Sequence, residues 1–186
     1  MKTVKMSIKK YYLIQRCLTM CLYSILYSCN TDNEQKLLKE INLIQSKPIN
    51  CNQYKWSHDN TTIEKLKYIV YSDSVNCISC SIHQMDLWNA LLEYSKSYNG
   101  QLHFYFIFRP AKKDIKSVES ILNKNVKFNY PILLDTLGEF EKLNPHLPKN
   151  HLLHTFLLDE NNRVVLVGNP LRNKKIEEMF YKIVEE

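Results

Sequence analysis

Two cysteines, Cys77 and Cys80, stand three residues apart in the stretch YIVYSDSVNCISC, residues 68–80. A thiolate is both a nucleophile and a soft metal ligand, so a C-x-x-C pair can serve dithiol–disulfide exchange, metal binding or a short structural bridge. Exchange needs one thiol to attack a disulfide and a second to displace the product. The spacing suits that need when the pair opens a helix, because the second thiol then lies nearly one turn beyond the first. Unsatisfied N–H groups at a helix start favour an anion and lower a thiol's pKa. On that ground Cys77 is the attacking nucleophile, with Asn76 as N-cap, and Cys80 is the resolving thiol. Cys80 is expected to be covered by its helix and Cys77 to be the accessible one. His83 could polarise Cys80, but an exposed helix face suits it better; Asp73 and Ser74 read as residues that shape the preceding loop.

The other two chemistries are weaker fits. Cys77, Cys80, His151 and His154 together give C-x2-C and H-x2-H, ligand types suited to tetrahedral zinc. The separation between the two halves is far longer than in zinc fingers, so no resident metal is expected. A bridge across so short a loop removes little chain entropy and stabilises modestly. Three glycines, at 100, 138 and 168, leave no glycine-rich loop for a phosphate, and no cofactor is expected.

The elements that must position the pair are regular from about Lys65 onward. KYIVY, 67–71, reads as a buried strand. Ile82, Met85, Trp88, Leu91 and Leu92 then recur at helical spacing as core residues, and Gly100 supplies the stop. QLHFYFIF, 101–108, shows little alternation, as in a strand buried on both faces. Ile115, Val118, Ile121 and Leu122 mark a second helix within 114–125, and YPILLD, 130–135, a third strand. Thr136 and Glu139 fit a capping box opening a short helix to about Leu143. Strands near 153–159 and 163–168 flank an Asn161–Asn162 turn, a hairpin pattern. Ile176, Met179, Phe180, Ile183 and Val184 form the apolar face of a last helix. Strands joined through helices imply parallel neighbours and an α/β sheet, with the hairpin as an antiparallel edge.

The net charge of +6 is concentrated at the N-terminus, where Lys2, Lys5, Lys9, Lys10 and Arg16 stand without any acid. The nearly neutral remainder lacks the basic stripe that binds phosphate backbones, so no nucleic-acid partner is expected. An apolar run from Cys17 to Tyr27 follows the cations and is too short to span a bilayer. It fits a signal-peptide core. The run ends in LYSC, Leu26 to Cys29, which resembles the bacterial lipobox, whose cysteine is lipidated and becomes the mature N-terminus. The expected organisation is a lipoprotein signal at 1–28, a polar tether and loosely packed lead-in at 29–61 with one short strand near Ile49, and a domain at 62–186. The expected location is a bacterial cell envelope, lipid-anchored through Cys29 and facing the periplasm or the outside. That compartment is oxidising and lets disulfides persist. Cys51 is the odd thiol of the mature chain.

At YIVYSDSVNCISC, YPILLD and HTFLLDENNRVVLVGNP the chain resembles the thioredoxin superfamily, and more narrowly its exported, often lipid-anchored peroxiredoxin/TlpA-type branch. The resemblance covers about residues 62–186. It implies a thioredoxin-like α/β fold, a central mixed sheet flanked by helices, and dithiol–disulfide exchange at Cys77 and Cys80. It also implies substrate contact at Leu153, His154 and Thr155, where the family presents backbone after a cis-proline. The implied partners are thiols or disulfides of exported proteins and a membrane redox donor or acceptor. Three positions depart from the pattern. Leu153 or His154 takes the cis-proline slot, Tyr71 stands where a buried acid often serves as proton acceptor, and Ile78–Ser79 replaces Gly-Pro within the motif. A binding lipoprotein that kept the fold and a structural disulfide, or a zinc site at the same cysteines, are the alternatives.

Overall fold

The computed structural model describes residues 32–51, 65–74, 77–124, 128 and 130–186. The chain divides into two compact units, Met1–Lys39 and Glu40–Glu186. Of the first, the described residues, 32–39, are helical. The expected signal, its Cys29 and the N-cap Asn76 lie outside the described residues.

The second unit opens with helical residues 40–45, α1. Five strands follow: β1 Leu66–Ser72, β2 Leu102–Phe108, β3 Ile132–Leu134, β4 Thr155–Leu158 and β5 Val164–Val167. They are interleaved with α2 Ile78–His83, α3 Asn89–Lys96, α4 Ile115–Lys124, α5 Glu139–Leu143 and α6 Lys174–Glu185. The sheet order is β3-β2-β1-β4-β5. β1, β2 and β3 run parallel, while β4 lies antiparallel to β1 and β5 antiparallel to β4. This is a mixed, helix-flanked α/β sheet with an antiparallel C-terminal hairpin, the arrangement that the resemblance implies.

Both faces of the sheet are covered, which is why β2 shows no polar alternation. Phe104, Phe106 and Phe108 point to one face, among Tyr68, Ile82, Met85, Trp88 and Phe180. Tyr105 and Ile107 point to the other, among Ile69, Tyr71, Phe140, Phe156, Ile44 and Ile49. The short strand expected near Ile49 does not form. Ile49 is instead only 1% exposed, and its N–H donates to the Asn162 carbonyl at 2.8 Å. Ile44 is fully buried, so residues of the expected loose lead-in supply core to the second face.

Local chemistry explains four further differences from the sequence reading. The long helix expected after the cysteines is broken at Gln84 (φ −100°, ψ 6°), with a 3₁₀ turn Met85–Trp88 before α3. In a 3₁₀ turn residues i and i+3 eclipse, so Met85 and Trp88 still reach the core together. The capping box at Thr136 does not form. Asp135 caps α5 instead, its carboxylate accepting from the Glu139 and Phe140 N–H groups at 2.8 and 2.9 Å. The turn passes through Gly138 at φ +67°, where an added Cβ would lie 2.8 Å from Arg109 Nε. Residues 151–153 form a 3₁₀ turn rather than the start of β4. On α6, Phe180 and Val184 are buried as expected, but Met179 is 49% exposed.

His146 is buried and has its pKa lowered, chiefly by burial; a backbone hydrogen bond at Lys47 opposes the shift, and the Lys47 charge adds to it to a lesser degree. The unfolded imidazole takes a proton near pH 6.5 and the folded one only at lower pH. Unfolding is thus favoured as pH falls from about 6.5 through the folded value. Stability should decline over that window, and a His146→Asn variant should show a flatter decline in urea melts. An unchanged slope would remove His146 as the cause.

Candidate active site

β1 delivers the chain to the site. Its last residue, Ser72, is followed by Asp73 and, four residues further along the chain, by Cys77. Cys77 is the N-cap of α2, so the sequence placed it one position too far into the helix. Its Sγ accepts the Cys80 N–H at 3.2 Å, taking the part assigned to Asn76 and satisfying one of the helix's open donors. The first turn of α2 holds no acid to oppose an anion on that sulfur. The two sulfurs are joined, with their Cα atoms 5.2 Å apart. Both cysteines are exposed. Cys80 is therefore not covered by its helix as expected. α2 has only six residues and presents its buried side through Ile78 and Ile82. The difference between the two sulfurs is their position on the helix end, not their accessibility.

The disulfide lies in a cleft of about 340 Å³ whose lining includes Val70, Trp88, Phe108, His151, Leu152, Thr155, Leu171 and Arg172. Pairing of β1 with β4 sets Thr155 opposite Val70, which brings the start of β4 to the cysteines. Of the three residues expected to meet substrate, Thr155 lines this cleft. Leu153 is buried, and His154 faces a different cavity. Every peptide bond among the described residues is trans, the Leu153–His154 bond included. Leu87, Leu152 and Leu171 rim the cleft at 58%, 72% and 37% exposure, an apolar edge around a polar centre. The sequence reading missed this rim. Exposed leucines carry no periodic signature and become meaningful only once three segments meet.

Tyr71, which stands where the resemblance implies an acid, is a poor base. Burial, then its hydrogen bond to Glu141, holds its pKa far above the usual phenol value. Its hydroxyl donates to Glu141 Oε1 at 2.7 Å, and Glu141 also pairs with Arg109. The carboxylate nearest the motif in sequence is Asp73, which is 6% exposed and lies against two histidines. Its Oδ2 is 2.8 Å from His151 Nδ1 and 4.0 Å from His154 Nδ1. A loop-shaping role had been expected for Asp73. Its burial together with the H-x2-H pair was not visible because the contact runs from the end of β1 to the turn before β4. His83 Nδ1 lies 2.6 Å from the Ser79 carbonyl, a contact within its own helix. Cys51 lies outside any disulfide, buried, with its Sγ 3.4 Å from Asn162 Oδ1.

The chain is similar to a solved structure of low identity. That is the solution structure of a candidate thiol-disulfide oxidoreductase from Bacteroides vulgatus, at 19% identity and a TM-score of 0.40, covering 66% of this chain and 75% of that one. No family model and no curated protein matches the chain. The chemistry assigned below therefore rests on the site itself.

Proposed function

We propose that the chain is a membrane-anchored thiol–disulfide oxidoreductase acting on exported proteins through Cys77 and Cys80. The observation that carries this reading is the exposed Cys77–Cys80 disulfide at the start of α2, open in a cleft with a leucine rim. A structural bridge gains nothing from exposure, whereas an exchanging pair requires it. In the reduced form the Cys77 thiolate attacks one sulfur of a client disulfide. That S–S bond breaks, one client thiolate leaves, and a Cys77–client mixed disulfide remains. The Cys80 thiolate then attacks Cys77 Sγ and releases the second client thiolate. Two electrons pass to the client and the Cys77–Cys80 bond forms. Run backwards, the same two steps oxidise a client dithiol, and a membrane redox donor or acceptor resets the pair.

The apolar rim suits extended protein segments better than small polar thiols, since exposed leucines gain by being covered. Turnover is the test. The protein should accelerate insulin reduction by dithiothreitol, and a Cys77→Ser/Cys80→Ser variant should match the buffer control. Identical rates for the two proteins would instead favour a binding lipoprotein with a structural bridge.

The basic leader, short apolar run and LYSC sequence support anchoring through lipid on Cys29. Replacing Cys29 with Ala should move the protein from the membrane fraction to the soluble one. If the variant still needs detergent for extraction, lipid at this cysteine is not the anchor.

A further inference from the structure

We infer that Asp73, His151 and His154 form a binding site for one divalent transition-metal ion that does not use the cysteine sulfurs as ligands. The three residues come together because β4 runs antiparallel to β1. The Tyr71 N–H donates to the His154 carbonyl at 3.0 Å, which sets the turn holding both histidines beside the end of β1. Their nearest ligand atoms all lie within 4.8 Å of one another.

The tautomer of His154 decides the matter. Its Nε2 is 2.8 Å from the Pro148 carbonyl, which can only accept, so Nε2 carries a proton. In the neutral ring Nδ1 then bears a lone pair. That nitrogen is buried, has no hydrogen-bond partner, and faces the Asp73 carboxylate at 4.0 Å. A lone pair turned toward an anion is an unfavourable arrangement that a cation corrects. His151 Nδ1 is also buried, lies 2.8 Å from the same carboxylate oxygen and makes no hydrogen bond among the described residues. Two imidazole nitrogens and one carboxylate oxygen thus converge. Ligand atoms about 2.0–2.1 Å from a tetrahedral ion stand roughly 3.3 Å apart, a value bracketed by the 2.8 and 4.0 Å separations. The Nε2–H bond to a carbonyl is the outer contact that orients metal-bound histidines.

Two imidazoles and one carboxylate suit Zn²⁺ or Co²⁺. The three residues line a cavity of about 400 Å³ shared with Glu141 and Asn144, with room for a water or a further ligand on the ion. The expectation of a metal-free chain weighed Cys77 and Cys80 as ligands, whereas this set excludes them. The inference therefore stands or falls apart from the exchange reading.

The test uses untagged full-length protein, disulfide intact, remaining thiols alkylated, and stripped with chelator. Titration with Zn²⁺ alone by calorimetry, and with Co²⁺ by visible absorbance, should show one equivalent bound, without a thiolate charge-transfer band. Asp73→Asn and His154→Gln should each weaken binding roughly 100-fold or more, as loss of a direct ligand should match or exceed loss of an outer-shell partner. His151→Gln, at a half-exposed ring that a folded chain tolerates, should do the same, and thermal melts confirm that each variant is folded. No uptake by the alkylated protein would overturn the inference and leave a proton between His154 and Asp73. So would unchanged affinity in folded variants.

Discussion

Replacing Cys80 with Ser should leave the protein locked to its clients. The attacking thiol remains, so the first exchange proceeds and a mixed disulfide forms. The resolving thiol is gone, so release must wait for a thiol from solution. An intramolecular attack has a large effective concentration, and its loss should slow release roughly 100-fold or more. Non-reducing electrophoresis of the variant expressed in its own cell envelope should show higher-mass adducts that collapse on reduction. Cys77→Ser should show none. The asymmetry follows from position, since both residues are exposed: Cys77 is the N-cap of α2, and its Sγ accepts the Cys80 N–H. A sulfur already accepting a backbone N–H is the better stabilised as thiolate. Adducts on Cys77→Ser rather than Cys80→Ser would reverse the two roles.

The second large effect is on stability. Phe180, on α6, is fully buried and sets its ring edge-on to Tyr68, with centroids 5.4 Å apart. Phe104 of β2 lies beside it, centroids 6.4 Å apart. Tyr68 in turn donates its hydroxyl to the Gly168 carbonyl at 2.7 Å, tying β1 to the segment that leads into α6. Phe180→Ala removes the ring on which this arrangement closes and leaves a cavity. The expected loss is about 3–5 kcal/mol, a fall in Tm of roughly 6–20 °C. Met179→Ala is the matched control, because Met179 sits one residue earlier on the same helix and is 49% exposed. It should change stability by about 0.5 kcal/mol or less. Equal shifts in the two thermal melts would mean that α6 does not anchor through Phe180.

What the sequence carries about the fold is mostly local. β2 was legible because a strand covered on both faces needs apolar residues at every position, and Phe104 through Phe108 meet that need. The hairpin was legible because its turn is stated in side chains. The Asp159 carboxylate accepts the Asn161 and Arg163 N–H groups at 2.9 and 2.8 Å, and Asn162 takes φ +60°. The break at Gln84 left no such mark, since helical and 3₁₀ spacing place Met85 and Trp88 on nearly the same face. Ile44 and Ile49 were read as lead-in because their burial depends on a sheet face contributed by distant strands. The site divides the same way. Cys77 and Cys80 announce themselves by spacing. Asp73 is a single carboxylate after β1 until β4 brings His151 and His154 against it, and the leucine rim exists only where three segments meet.

The central claim is that Cys77 and Cys80 exchange electrons with proteins and do not merely staple α2. Its most direct measurement is the reduction potential of the pair, read by equilibrating the protein with glutathione and dithiothreitol buffers and trapping free thiols by alkylation. The account predicts a single two-electron midpoint between about −120 and −270 mV, the span of disulfides that turn over. A pair that stays oxidised below about −300 mV would behave as a structural bridge and contradict the account.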